Sequence, residues 1–301
     1  MRTIIPSYLK KGDTIGIAST ARFVSPEDLK TTIELVENRG LKYKFSDNLF
    51  IQYHQLAGDE KTRLAGFQKM LDDDEIQAIW FARGGYGTVK VIDEINWEKY
   101  QKKPKWICGY SDYTVLFSNL FFNQNSASIH AIMPINIKAN NKESLQSAVQ
   151  FLDVLFGIKN TIKMPENIYT KKGNFEGKLM GGNLSVLYSL LGSSSYGETE
   201  NCILFLEDLD EYLYHIDRMM MALKRAKKFD NLAGIIIGSF SDMRDNAIPF
   251  GKDAYQIISD ILAPYNFPVY FDFPAGHSPK NFPLILGENY KMEEDVFWVI
   301  D

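Results

Sequence analysis

Short apolar runs alternate with amphipathic stretches through the first half of the chain. Thr14 to Ala18 (TIGIA), Lys42 to Phe45, Ala78 to Ala82 (AIWFA), Lys105 to Gly109 (KWICG) and Ser128 to Ile132 carry strand signals. Helical patterns lie between them. Ser25-Pro26-Glu27-Asp28 opens one, with a capping serine, proline at the first position and acids in the first turn. It is expected to run to Arg39, where Gly40 ends it. Asp59 to Leu71 sets Leu64, Phe67 and Leu71 on one face. Further helices are expected over Thr88 to Ile95, from Ser111-Asp112 through Phe122, and over Lys142 to Phe156. Continuously apolar strands separated by helices imply a parallel sheet covered on both faces.

The second half is more mixed. Gly181-Gly182-Asn183 precedes an expected helix over Leu184 to Leu191; others cover Tyr214 to Lys227 and Ala254 to Leu262. Strands are expected at Cys202 to Leu206, Ala233 to Gly238, Val269 to Phe273, Leu284 to Leu286 and Val296 to Ile300. The pattern predicts an α/β protein: an N-terminal doubly wound, mostly parallel sheet domain (1–159), a linker (160–172) and a smaller mixed α/β C-terminal domain (173–301). No internal repeat or low-complexity tract interrupts it.

Composition narrows the function class. With 301 residues, 45% of them hydrophobic and 24% charged, the chain can bury a sizeable core without disulfide or metal staples. A net charge of -5 gives no broad basic field, which argues against a nucleic-acid partner. No run approaches the roughly 18 apolar residues of a membrane span. The opening Met1-Arg2-Thr3-Ile4-Ile5-Pro6 has no signal-peptide pattern, so a cytoplasmic protein is expected. Cys108 and Cys202 each adjoin an apolar run and read as buried small hydrophobes.

Ser111 sits where a strand gives way to a helix. A side chain there projects from a tight turn, with helix N-terminal amides nearby to meet a developing oxyanion. The sequence there is Gly109-Tyr110-Ser111-Asp112-Tyr113 rather than G-x-S-x-G, and a plain helix-capping serine fits it equally. Arg83-Gly84-Gly85-Tyr86-Gly87 is a second glycine-rich turn at a strand's C-terminal end, the edge where open α/β sheets bind ligands. Its glycines permit close backbone approach or a tight structural turn. Arg83 suits a substrate carboxylate or a structural ion pair. The turn matches neither the dinucleotide nor the P-loop fingerprint.

A serine nucleophile needs a base, and four histidines are available. His277 lies in the loop Phe273-Pro274-Ala275-Gly276-His277-Ser278, just after a strand. His130 reads as a core histidine, and His54 and His215 have no distinguishing context. No histidine pair has metal-ligand spacing. Glu207-Asp208 follows the apolar run Ile203 to Leu206, which suits an acid orienting a histidine. An acid at the N-terminus of the following helix is the alternative.

Taken together, these segments resemble the LD-carboxypeptidase family of serine peptidases, which includes the microcin-immunity peptidases. The matching pieces are GDTIGIAST, AGDEKTRL, FARGGYG, PKWICGYSDYT, GGNLSVL, FLEDLDEYLYHIDRM, AGIIIGSF and PAGHSPKNFPLILG, in order across nearly the whole chain. The resemblance implies Ser111 as nucleophile, Glu207 as the orienting acid and His277 as base. It also implies the backbone N–H groups of Gly85 and Asp112 as oxyanion donors, with Arg83, Gly84 and Tyr86 at the substrate. No metal or other cofactor is implied. The implied reaction removes a terminal D-alanine after the L-centre of a diamino acid in cytoplasmic cell-wall peptides, and the implied assembly is a homodimer.

The chain departs from the family at His130-Ala131-Ile132-Met133, where His-Gly-Pro-Met is usual, and at Leu191-Gly192-Ser193, where Leu-Gly-Thr is. Both touch substrate identity rather than the triad. Two other readings stay open at this stage. One is a self-immunity peptidase cleaving a peptidyl or aminoacyl nucleotide; the other is a non-catalytic α/β ligand-binding protein. A cysteine amidotransferase using Cys108 fits poorly, because that residue belongs to the strand and not to the turn.

Overall fold

In a computed structural model, which describes residues 3–159 and 161–300, the apolar runs of the first half become one parallel array. Met1 and Arg2 of the expected N-terminus, Asn160 at the start of the expected linker, and Asp301 lie outside the described residues. The array consists of β1 (Thr14–Ala18), β2 (Lys42–Phe45), β3 (Ile76–Phe81), β4 (Trp106–Gly109) and β5 (Ser128–His130). The connecting helices are α1 (Lys30–Asn38), α2 (Glu60–Asp72), α3 (Glu98–Lys102), α4 (Thr114–Asn119) and α5 (Lys142–Leu155).

The alternation along β3 explains why its run is apolar throughout. Ala78 and Trp80 pack on one face with Val36 of α1 and Phe151 of α5. Ile79 and Phe81 pack on the other with Phe67 of α2 and Phe117 of α4. That second cluster continues into the C-terminal half, taking in Leu179, Phe205, Met219 and Ile236. The two halves therefore share one hydrophobic core.

The second half contains β6 (Thr161–Lys163), β7 (Phe175–Asn183), α6 (Leu184–Ser189), β8 (Cys202–Leu209) and α7 (Leu213–Arg225). It continues with β9 (Gly234–Ser241), α8 (Ala254–Leu262), β10 (Val269–Tyr270), β11 (Leu284–Leu286), β12 (Asn289–Glu293) and β13 (Val296–Val299). The first sheet has the order β11-β5-β4-β3-β1-β2 and the second β10-β9-β8-β7-β12-β13-β6. Strands β7 to β10 run parallel, and the rest of the second sheet is antiparallel.

Several expectations shift. Residues 160–172, read as a linker, supply β6, which pairs with β13 in the second sheet. Strand β11, far along the chain, joins the first sheet antiparallel to β5, with Leu284 opposite His130. The helix expected over Thr88 to Ile95 is instead two 3-10 turns, Thr88–Lys90 and Ile92–Glu94, because Val91 leaves the helical region at φ -120°. The helix after Ser111 opens as a 3-10 turn and widens into a π turn over Leu120–Gln124, which left-handed Asn125 ends. Ser25 caps a 3-10 turn over Glu27–Leu29 that leads into α1: its hydroxyl accepts from the Asp28 amide at 3.3 Å, and its hydroxyl and amide both donate to the Asp28 carboxylate at 2.9 Å each. Among the described residues no helix is long and apolar enough to cross a membrane.

Candidate active site

In each sheet the C-terminal ends of the parallel strands lead into the functional loops. Ser111 follows β4. Gly109 and Tyr110 are extended, and then Ser111 turns into the left-handed region at φ 65°. For a residue with a Cβ that backbone costs about 1–2 kcal/mol, so the surroundings must impose it. Asp112 is buried and accepts from the Thr88 amide at 2.9 Å. Tyr113 stacks on Phe81 with ring centroids 3.8 Å apart and donates its hydroxyl to the Arg83 carbonyl at 2.7 Å. The Ser111 turn and the glycine turn after β3 are thus tied together.

The glycines of that second turn are there for space. A Cβ on Gly84 would lie 3.0 Å from the Ser111 Cβ and 3.1 Å from its hydroxyl oxygen. Gly85, at φ 120°, would place a Cβ 2.7 Å from the Arg22 side chain. Beneath the turn, fully buried Arg63 donates to the carbonyls of Gly58 at 3.2 Å and Gly87 at 2.9 Å, and also to that of Thr20.

From the other sheet, β8 carries Glu207, which is fully buried, and the loop after β10 carries His277. Glu207 Oε2 lies 2.6 Å from His277 Nδ1. Gly276 makes this approach possible, since a Cβ there would sit 2.5 Å from Ser239 Oγ and 2.9 Å from Glu207 Cβ. The loop is held on both sides: the His277 carbonyl accepts from Ser241 at 3.0 Å, and the Asn281 amide donates to Ser147 of α5 at 2.9 Å.

The pair's electrostatics agree from both ends. Burial raises the Glu207 carboxyl, but the charge and hydrogen bond of His277 outweigh it and hold the group below the usual range. Burial lowers the His277 imidazole, yet the Glu207 charge and hydrogen bond leave it above its ordinary value. Next to Glu207, burial and the Glu207 charge push Asp208 up to about 7. The Asp208 carboxylate accepts from Asn183 Nδ2 and from the Ser185 amide, both at 2.9 Å.

Ser111 and His277 line one cavity of about 540 Å³, together with Arg83, Gly84, Gly85 and Tyr110. The Tyr110 ring lies 4.7 Å from the imidazole, centroid to centroid. With Nδ1 engaged by Glu207, Nε2 is the ring nitrogen left for chemistry. No hydrogen bond joins it to the Ser111 hydroxyl among the described contacts. Tyr86 is half-exposed and is not part of the cavity lining.

The other candidates do not line the cavity, although His130 lies beside Tyr110, with ring centroids 5.7 Å apart. His215 lies against Glu211 at 2.5 Å. His130 is in the core, as expected, but neither ring nitrogen meets a hydrogen-bond partner, and burial pushes it down to about 4. Cys108 and Cys202 are buried free thiols. Burial raises both, opposite to what a nucleophilic thiolate needs. The sequence singles out none of Arg22, Asn183 and Asp208 as cavity residues, although Arg22 lies just beyond β1 while Asn183 and Asp208 lie within the C-terminal ends of β7 and β8.

Two family models, described as the N-terminal and C-terminal domains of LD-carboxypeptidase, match residues 15–131 and 176–292. A probable murein peptide carboxypeptidase of Bacillus subtilis is 31% identical, over 95% of this chain and 91% of its own length. Among solved structures, a muramoyltetrapeptide carboxypeptidase from Oxalobacter formigenes superposes with a TM-score of 0.86 at 22% identity, covering 96% of this chain and 99% of the other. The microcin C7 self-immunity protein MccF, in complex with aspartyl sulfamoyl adenosine, gives a TM-score of 0.87 at 21% identity, covering 99% and 98%. These two likenesses establish the shared fold. With both domain models and a full-length relative in agreement, the chain belongs to the LD-carboxypeptidase family of serine-type carboxypeptidases.

Proposed function

We propose that this chain hydrolyses the L,D peptide bond that releases terminal D-alanine from muramyl tetrapeptides, in cytoplasmic recycling of cell-wall peptides, as a homodimer. The observation that carries the reading is the 2.6 Å contact between Glu207 and His277 at the wall of a cavity that Ser111 also lines from a left-handed turn. His277 Nε2 takes the Ser111 proton as the serine oxygen attacks the scissile carbonyl. Glu207 fixes the tautomer and stabilises the imidazolium. The amides of Gly85 and Asp112 donate to the oxyanion, worth on the order of 3 kcal/mol each. The imidazolium then protonates the leaving amine of D-alanine, and water, deprotonated by His277, hydrolyses the acyl-enzyme. The serine–histidine hydrogen bond forms in the substrate complex, as catalytic contacts that are loose in the free enzyme do.

The test is D-alanine release from a muramyl tetrapeptide, followed by mass spectrometry, with wild-type protein and Ser111→Ala. The wild type releases D-alanine and the variant does not. Undiminished release by the variant removes Ser111 from the mechanism. Faster turnover of an aminoacyl sulfamoyl adenylate than of the tetrapeptide moves the substrate to nucleotide conjugates. Sedimentation of the intact chain checks the dimer.

A further inference from the structure

The cavity is electrically lopsided. On the wall built from the first sheet stands Arg22, four residues beyond the end of β1. Among the described residues no carboxylate pairs with it and no protein group accepts from its guanidinium; its Nε is buried without a partner. The wall from the second sheet instead carries Asp208, Asp210 and Glu211. Those acids are already engaged: Asp208 by Asn183, Asp210 by Arg244 Nε at 2.6 Å, and Glu211 by His215. Arg83, the other cation of the cavity, donates to the Phe23 carbonyl at 3.2 Å and lies near Asp28. Arg22 is therefore the cavity cation with no acceptor among the described residues, whereas Arg83 already donates to Phe23.

Its position also meets a covalent constraint. A carboxypeptidase substrate carries its free carboxylate three bonds from the scissile carbonyl carbon, about 3–4 Å away. A cation that reads the carboxylate must therefore adjoin the oxyanion donors. The Arg22 stem is packed against Gly85, so tightly that a Cβ on that glycine would be 2.7 Å from Arg22 Cδ and Nε. The geometry points to Arg22 as the residue that binds the C-terminal carboxylate of the peptide. A guanidinium presents paired donors in a plane, which matches a carboxylate in a way a lysine does not. This assignment rests on the carboxypeptidase reading above, and it makes Arg22 a specificity residue rather than a part of the proton relay.

Two peptides test it, identical except that one ends in D-alanine and the other in D-alaninamide. The ratio of their kcat/KM values is measured for wild type, Arg22→Gln and Arg22→Lys. Gln keeps most of the stem against Gly85 without the charge. Wild type is expected to favour the acid by roughly 10- to 100-fold, the range of hydrogen bonds to charged groups. Arg22→Gln is expected to bring the ratio close to one, mainly through KM for the acid, and Arg22→Lys to restore part of it. A ratio as high in Arg22→Gln as in wild type overturns the assignment, and so does a wild type with no preference. Wild-type protein that cleaves neither peptide overturns the carboxypeptidase function itself, and the assignment with it.

Discussion

Ser111 stands on backbone bent into the left-handed region, with glycines cleared around it, whereas Glu207 and His277 stand on ordinary backbone as a buried charge pair. One wall of the cleft holds its reactive group by conformational strain and close packing, the other by electrostatics in a dry site. The difference teaches that the two walls fail differently. At the first wall an added carbon on Gly84 or Gly85 meets Ser111 or Arg22, and the serine hydroxyl does not titrate where the imidazole does. The second tolerates little change of charge and responds directly to pH.

The largest effect is expected from Ser111→Ala, which removes the proposed nucleophile and lowers kcat by at least about 10⁴-fold while circular dichroism shows an intact fold. Glu207→Gln keeps the shape of the other wall and removes its charge. At neutral pH it is expected to cost about 10⁴-fold in kcat. The wild-type rising limb in kcat/KM should lie above pH 6.5, because the imidazole must be neutral to act as base and its pKa is raised. In Glu207→Gln that limb should move to lower pH, since burial then acts without the opposing charge. An unmoved limb separates Glu207 from His277.

Stability has its own window. Glu207, with a lowered pKa, contributes above its unfolded value near 4.5 and loses that contribution as pH falls through the folded value. His277, with a raised pKa, contributes fully below its unfolded value near 6.5 and loses that as pH rises through the folded value. The pair therefore stabilises most between those two values, and thermal melts of wild type against Glu207→Gln should differ most there.

On the strained wall, Gly85→Ala is expected to lower kcat on the order of 100-fold by moving the amide proposed as an oxyanion donor and the Arg22 stem, with no shift of the pH limb. The smallest effect is thermodynamic. Ser111→Gly should be about 1 kcal/mol more stable than Ser111→Ala in urea unfolding, because glycine alone relaxes at φ 65°. Equal stabilities would mean that the turn carries no strain.

Most of the parallel strands were legible because burial on both faces leaves nearly continuous apolar runs. β7 was not, because Glu176, Lys178 and its three glycines break the run, and one of those glycines, Gly181, exists for contact with the Phe205 backbone. β6 and β12 alternate with exposed or half-exposed polar positions, so the first reads as connection and the second carries no strand signal. At the site, Ser111 was visible from the strand-to-turn junction, but its positive φ was not, since no local residue type demands it. Glu207 was left between two readings because an acid after an apolar run looks the same whether it meets a helix end or an imidazole 70 positions away. Arg22 gave no signal except its place beyond a strand end, because what singles it out is the lack of a partner in space.

The late strand β11 has a consequence for how the molecule is made. Because Leu284 to Leu286 supply the outer edge of the first sheet, β5 pairs with β4 on one side and has its other edge open until this segment, more than 150 positions later in the chain, is in place. The segment that then crosses over carries His277 on the way, tethered at one end to β10 and at the other to β11. Seating that strand is thus what brings the imidazole to the cleft, so the last strand of the sheet and the wall of the site settle together.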